Sequence, residues 1–101
     1  MSGYSLSDAA DADLAAIFWQ GLEGFGVSRT ERYLEELEQT FDYLSRYPQA
    51  ARLRTELTPP IRAYPHNAHV IIYDVAESQI VILRVRSGRE NWMASPVEDE
   101  A

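Results

Sequence analysis

The feature of this 101-residue chain that most constrains its fold is the heptapeptide His69-Val70-Ile71-Ile72-Tyr73-Asp74-Val75. Read as a strand, it is apolar on both faces: Ile71, Tyr73 and Val75 on one, Val70 and Ile72 on the other. Neither face can be left in water, so such a strand is central to its sheet or covered by a helix. Ile61–Tyr64 precedes it across the turn sequence Pro65-His66-Asn67-Ala68. Gln79–Arg86 follows it across Ala76-Glu77-Ser78. Period two puts Ile80, Ile82, Arg84 and Arg86 of that last strand on one face, apolar first and charged afterwards.

The cover for this sheet is read upstream. Tyr4-Ser5-Leu6 is a short first strand. Ser7 is an N-cap, and Asp8 and Asp11 suit the positive end of a helix dipole. A helix is predicted from about Asp8 to Leu22, with Leu14, Ile17, Phe18 and Leu22 as its apolar stripe. Gly21, Gly24 and Gly26 weaken and then end it. Ser28 and Glu31 read as the capping box of a second helix, in which Leu34, Leu37, Phe41 and Leu44 share one face. Tyr47-Pro48 stops that helix, because proline disfavours helical geometry in its predecessor. Residues 48–60 read as a loop. The two helices form an αα-hairpin whose stripe has to be buried on the sheet. The fold class is therefore α+β in one domain over residues 1–92, with 93–101 as an acidic, flexible tail.

Charge divides the chain. Residues 1–47 carry nine acids against three arginines, and residues 48–92 carry six arginines against four acids. The formal total is −7, which opposes direct, nonspecific binding of nucleic acid by the whole surface. The chain has no cysteine, so a disulfide framework and a thiolate metal site are excluded. The first residues lack the basic and apolar regions of a signal peptide, and no apolar run is long enough to span a bilayer. A cytoplasmic protein without membrane contact is expected. His66 and His69 sit in a turn and a strand without a clustered carboxylate, and no glycine-rich loop follows a strand. Neither a metal nor another cofactor is expected.

The arginines are the remaining candidates for chemistry. Arg62 begins one strand, Arg84 and Arg86 end another, and Arg89 follows Gly88. Either antiparallel neighbours bring several of these to one edge, or they are surface arginines of a solvated strand end. Trp92, three residues beyond, reads either as a core lid for the C-terminus or as an exposed anchor, and tryptophan and arginine are enriched at binding hot spots. Phe18 and Trp19 are adjacent on the first helix, so they cannot both lie on one core line: either one is left to meet a partner or both sit in a wide apolar stripe.

Several pieces in order resemble the ParE-type toxins of the RelE/ParE superfamily. They are Tyr4-Ser5-Leu6-Ser7, Ala9-Ala10-Asp11-Ala12-Asp13-Leu14 with Ile17, and Tyr33-Leu34 with Leu37, Phe41 and Leu44. Ile61-Arg62, His69–Tyr73, Ile80–Val85 and Gly88-Arg89 complete the set over residues 4–92. The resemblance implies a strand, a helical hairpin and an antiparallel sheet of three to four strands. It implies the toxin of a type II toxin–antitoxin module that poisons DNA gyrase and is neutralised by a ParD-like antitoxin. RelE-type relatives instead cleave mRNA on the ribosome, with lysines, arginines and often a late tyrosine. This chain has no lysine and no tyrosine after Tyr73, and guanidinium does not shuttle protons. The expectation is therefore a gyrase poison that is not an enzyme, with an mRNA endoribonuclease or a non-toxic antitoxin-binding remnant as alternatives. Arg62, Arg84, Arg86, Arg89 and Trp92 are the expected target-binding residues. Phe18, Trp19, Arg62 and Arg84 are expected to meet the antitoxin. The chain departs from the family pattern at Pro59-Pro60, Ser87 and Glu90-Asn91.

Overall fold

The computed structural model describes residues 3–98. Strand β1 (Tyr4–Leu6) leads into helices α1 (Asp8–Phe25) and α2 (Val27–Arg46). Strands β2 (Leu53–Arg54), β3 (Ile61–His66), β4 (His69–Val75) and β5 (Ile80–Ser87) follow, and 3-10 turns stand at Pro48–Ala50 and Trp92–Ala94. The five strands form one sheet in the order β1-β5-β4-β3-β2. β1 runs parallel to β5, and the other pairings are antiparallel. The α+β architecture is the expected one, and β4 is central as its two apolar faces require.

The hairpin covers one face of the sheet. Ala10 from α1 and Leu37, Phe41 and Leu44 from α2 pack on Ile71, Tyr73, Ile80, Ile82 and Val85. The opposite face carries a second cluster of Leu57, Ile61, Val70, Ile72 and Trp92. The Tyr73 ring is fully buried, yet its hydroxyl donates to the Pro48 carbonyl (2.8 Å) and accepts from the Ala51 amide (3.3 Å). That satisfied hydroxyl ties the loop after α2 to the core.

Several local expectations change. Ser7 caps α1 through the Ala10 amide (3.0 Å), as its position predicts. However, α1 runs on to Phe25, so Gly21 and Gly24 are helical. Gly21 marks the close approach of the two helices: a Cβ there would stand 2.6 Å from Thr30 Oγ1. The turn needs Gly26 alone, whose φ of 84° is a conformation that glycine adopts without steric cost. Ser28 therefore lies inside α2, and Gly26 is its N-cap without a side-chain hydrogen bond. Pro65, expected in a turn, belongs to β3, where its outward edge has no β2 partner and the missing N–H costs nothing. Residues 53 and 54, expected as loop, form the short edge strand β2.

The largest correction concerns the face of β5. Tyr73 pairs with Ile82, but Ile72 pairs with Arg84, so Leu83 is an extra residue. A β-bulge of this kind shifts the side-chain phase by one. Val85 joins Ile80 and Ile82 under the helices, and Arg84 and Arg86 turn to the opposite face beside Ile72 and Val70. Strict alternation had placed those arginines with Ile80 and Ile82.

Candidate functional site: two sets of arginines

Where β1 ends, α1 takes over the edge of β5. Ser7 donates from its amide to the Ile82 carbonyl (3.0 Å) and from its hydroxyl to the Leu83 carbonyl (2.8 Å). Nearly two turns further along α1, Asp13 Oδ2 accepts from the Val85 amide (2.9 Å). The same carboxylate receives Arg84 in a two-pronged pair, Nε to Oδ2 at 2.7 Å and Nη2 to Oδ1 at 2.8 Å. Arg84 is 7% exposed, and this fork geometry is what makes burying a guanidinium tolerable.

Arg86 is buried more deeply, at 4% exposure. Its Nε donates to Glu90 Oε1 (2.7 Å), and its Nη1 donates to the carbonyls of Ser95 (2.9 Å), Pro96 (3.2 Å) and Glu98 (3.3 Å). Arg84 Nη1 adds a bond to the Val97 carbonyl (3.4 Å). Pro96 is fully buried beneath them. Residues 93–98, expected to belong to a loose acidic tail, are thus strapped across the helix-free face; 99–101 lie outside the described residues. Glu90, one of the departures from the family pattern, has a local reason: it closes this cluster on Arg86 and on the Ser87 amide.

Of the expected target-binding residues, Arg84, Arg86 and Trp92 share the helix-free face, where they are buried, and Arg62 is not with them. Arg62 pairs in register with Tyr73 on the helix side and donates to the Ala51 carbonyl (2.6 Å). Trp92 is 9% exposed in the second core, and Arg54 lies 5.7 Å over its ring. Only Arg89 is exposed, on the turn after β5. Of the expected antitoxin contacts, Phe18 is half-buried and Trp19 is 64% exposed, the two rings meeting edge-on at 5.3 Å.

A second constellation lies under the hairpin, where a cavity of about 420 Å³ opens between α1, α2 and the β3–β4 turn. Ile17 and Phe25 give it apolar walls, and Arg29, Arg32, Tyr33 and His69 give it polar ones. The Tyr33 hydroxyl lies 2.6 Å from His69 Nδ1. Burial, with His66 close by, pushes the His69 pKa below the ordinary histidine value. Burial, then the nearby Glu36 charge, raises the Tyr33 pKa. Thr30, also in the wall, has a buried hydroxyl without a hydrogen-bond partner among the described residues. Arg29 rests over the Phe25 ring at 5.0 Å, and neither Arg29 nor Arg32 has a carboxylate partner among the described residues. The sequence reading missed this set. The signal within reach was Arg29, Arg32 and Glu36, which share one face of α2 at helical spacing. The pairing of Tyr33 with His69, 36 residues apart, had no local signal.

Among the described residues, no three histidine, aspartate or glutamate side chains gather as a metal site. No helix is long and apolar enough to cross a membrane.

Comparison with known proteins places these features in context. The family described as the ParE toxin of the type II toxin–antitoxin system parDE matches residues 4–92. Toxin ParE1 of Mycobacterium tuberculosis is 34% identical over 85 residues, 83% of this chain and 87% of the relative. Toxin ParE3 of Caulobacter vibrioides is 32% identical over 82 residues, 81% of this chain and 82% of the relative. A solved chain from the chromosomal ParDE system of P. aeruginosa superposes with a TM-score of 0.74 at 21% identity. It covers 86% of this chain and 96% of its own length.

Proposed function

The chain belongs to the ParE toxin family of type II toxin–antitoxin systems, and from that premise we propose that it acts in the cytoplasm by poisoning DNA gyrase, without catalysis of its own. The observation that carries this reading is the engagement of the β5 arginines. Arg84 and Arg86 are sequestered by Asp13, Glu90 and the carbonyls of residues 95–98, so these two do not form an open cationic cluster for phosphate. Cleaving RNA requires such a cluster together with a base and an acid. On this reading Arg89 is the cation offered to the target. Arg84, Arg86 and Trp92 act indirectly, by fixing the strap and the turn that carries Arg89.

A ParD-like antitoxin, encoded alongside, neutralises the toxin by docking between the hairpin and the sheet. The open cavity there and the exposed Trp19 support this position. Arg62 remains a candidate contact, since it is only half-buried. Arg84 has its carboxylate already, so an acidic antitoxin residue gains little there.

One observation favours the ribonuclease alternative: Tyr33 and His69 share a cavity with Arg29 and Arg32. Against it, Glu31, Glu35, Glu36 and Glu38 lie on the same helix and repel a phosphate backbone. Purified gyrase with the free toxin distinguishes the two. Gyrase poisoning yields cleaved DNA and lost supercoiling, reversed by the antitoxin and weakened by Arg89→Ala. Unaffected gyrase, with new transcript ends at codon boundaries after induction, would overturn it.

A further inference from the structure

We infer that the face of α2 bordering the hairpin cavity is a charge-keyed seat for an amphipathic helix of the antitoxin. That helix sets carboxylates over Arg29 and Arg32 and a cation over Glu36. The inference rests on the antitoxin reading above and specifies the chemistry of the segment that docks.

Arg29, Arg32 and Glu36 all border the cavity, and at i, i+3 and i+7 they form one stripe along α2. The stripe covers about 10 Å of helix axis, with Glu36 one turn from Arg32 and two turns from Arg29. None of the three has an ion-pair partner among the described residues. By contrast, Asp42 further along α2 is paired with Arg46 at 2.8 Å. Ile17 and Phe25 give the seat an apolar floor beside the stripe, and Phe25 is 62% exposed. Opposite charges along a docked helix fix its direction and register, and like charges exclude the reversed or slipped arrangement. A uniformly acidic segment does not fit: residues 1–47 carry nine acids, and Glu36 lies within the seat. The occupant is therefore a mixed-charge helix with its acids at one end, one and two turns from its base.

The test is calorimetric titration of the full-length toxin with the antitoxin encoded beside it. The toxin is wild type or carries Arg29→Glu with Arg32→Glu, Glu36→Lys, or the exposed control Arg52→Gln. The double arginine variant is expected to weaken binding about tenfold or more and to flatten its salt dependence, and Glu36→Lys to weaken it several-fold. Arg52→Gln should bind as wild type. Circular dichroism confirms folding of each variant. In addition, replacing the facing antitoxin carboxylates with lysine should restore affinity for the Arg29→Glu, Arg32→Glu toxin. Unchanged affinity in all variants, with the wild type binding tightly, would overturn the charge key while leaving the antitoxin reading intact. Absence of binding by wild type would overturn both.

Discussion

Arg86 at the end of β5 is 4% exposed and donates to three main-chain carbonyls, whereas Arg32 at the start of α2 is exposed and has no carboxylate partner among the described residues. The two regions use the same side chain for opposite ends. On the helix-free face, arginine substitutes for a missing strand or helix: it gathers the carbonyls of residues 95–98, which have no ladder to join. Under the hairpin it is left in water beside an apolar cavity, where desolvation by a partner would strengthen any ion pair. A guanidinium in a strand-end motif is therefore not by itself a functional cation. Burial and prior partners decide.

Breaking the buried set should have the largest effects. Asp13→Ala removes the carboxylate from Arg84 and the acceptor from the Val85 amide, and a loss of about 3–5 kcal/mol is expected in urea unfolding. Arg86→Ala leaves the strap carbonyls without their donor, for about 2–3 kcal/mol. Gly21→Ala probes the hairpin side. The new methyl meets Thr30 Oγ1, and about 1–3 kcal/mol should be lost, partly restored by adding Thr30→Ala. Should the single and double variants prove equal in stability, the close helix contact at Gly21 is refuted.

Acid sharpens the comparison further. Because burial depresses the His69 pKa in the folded protein, the unfolded chain binds more protons just below the ordinary value of 6.5. Stability should be full above about pH 6.5 and should fall as pH drops toward the depressed pKa. Replacing His69 with glutamine should flatten the profile in that window, and an unchanged profile would refute the assignment. Least affected should be Arg29→Gln with Arg32→Gln, within about 0.5 kcal/mol of wild type, since both are exposed and neither has a carboxylate partner among the described residues.

The sequence made the architecture legible because its strongest signals are periodic. The two-faced run at residues 69–75, the Leu37–Phe41–Leu44 stripe and the Ser7 cap each fix an element without reference to the rest. The site was less legible. The face of Arg84 and Arg86 depends on the bulge at Leu83, which pairing with β4 creates and which strict alternation cannot reveal. Likewise, Gly21 reads as a helix breaker until Thr30 is seen packed against it. The strap at residues 93–98 reads as polar and proline-containing, and the buried guanidiniums of Arg84 and Arg86 account for its order.

Hydrogen exchange of the full-length toxin, alone and saturated with its antitoxin, tests most directly that these two regions divide the work. New protection is expected in residues 17–36 around the hairpin cavity, with exchange in residues 84–98 unchanged because Arg84 and Arg86 have already satisfied that segment. Strong new protection confined to residues 84–98, with the hairpin unaffected, would contradict it.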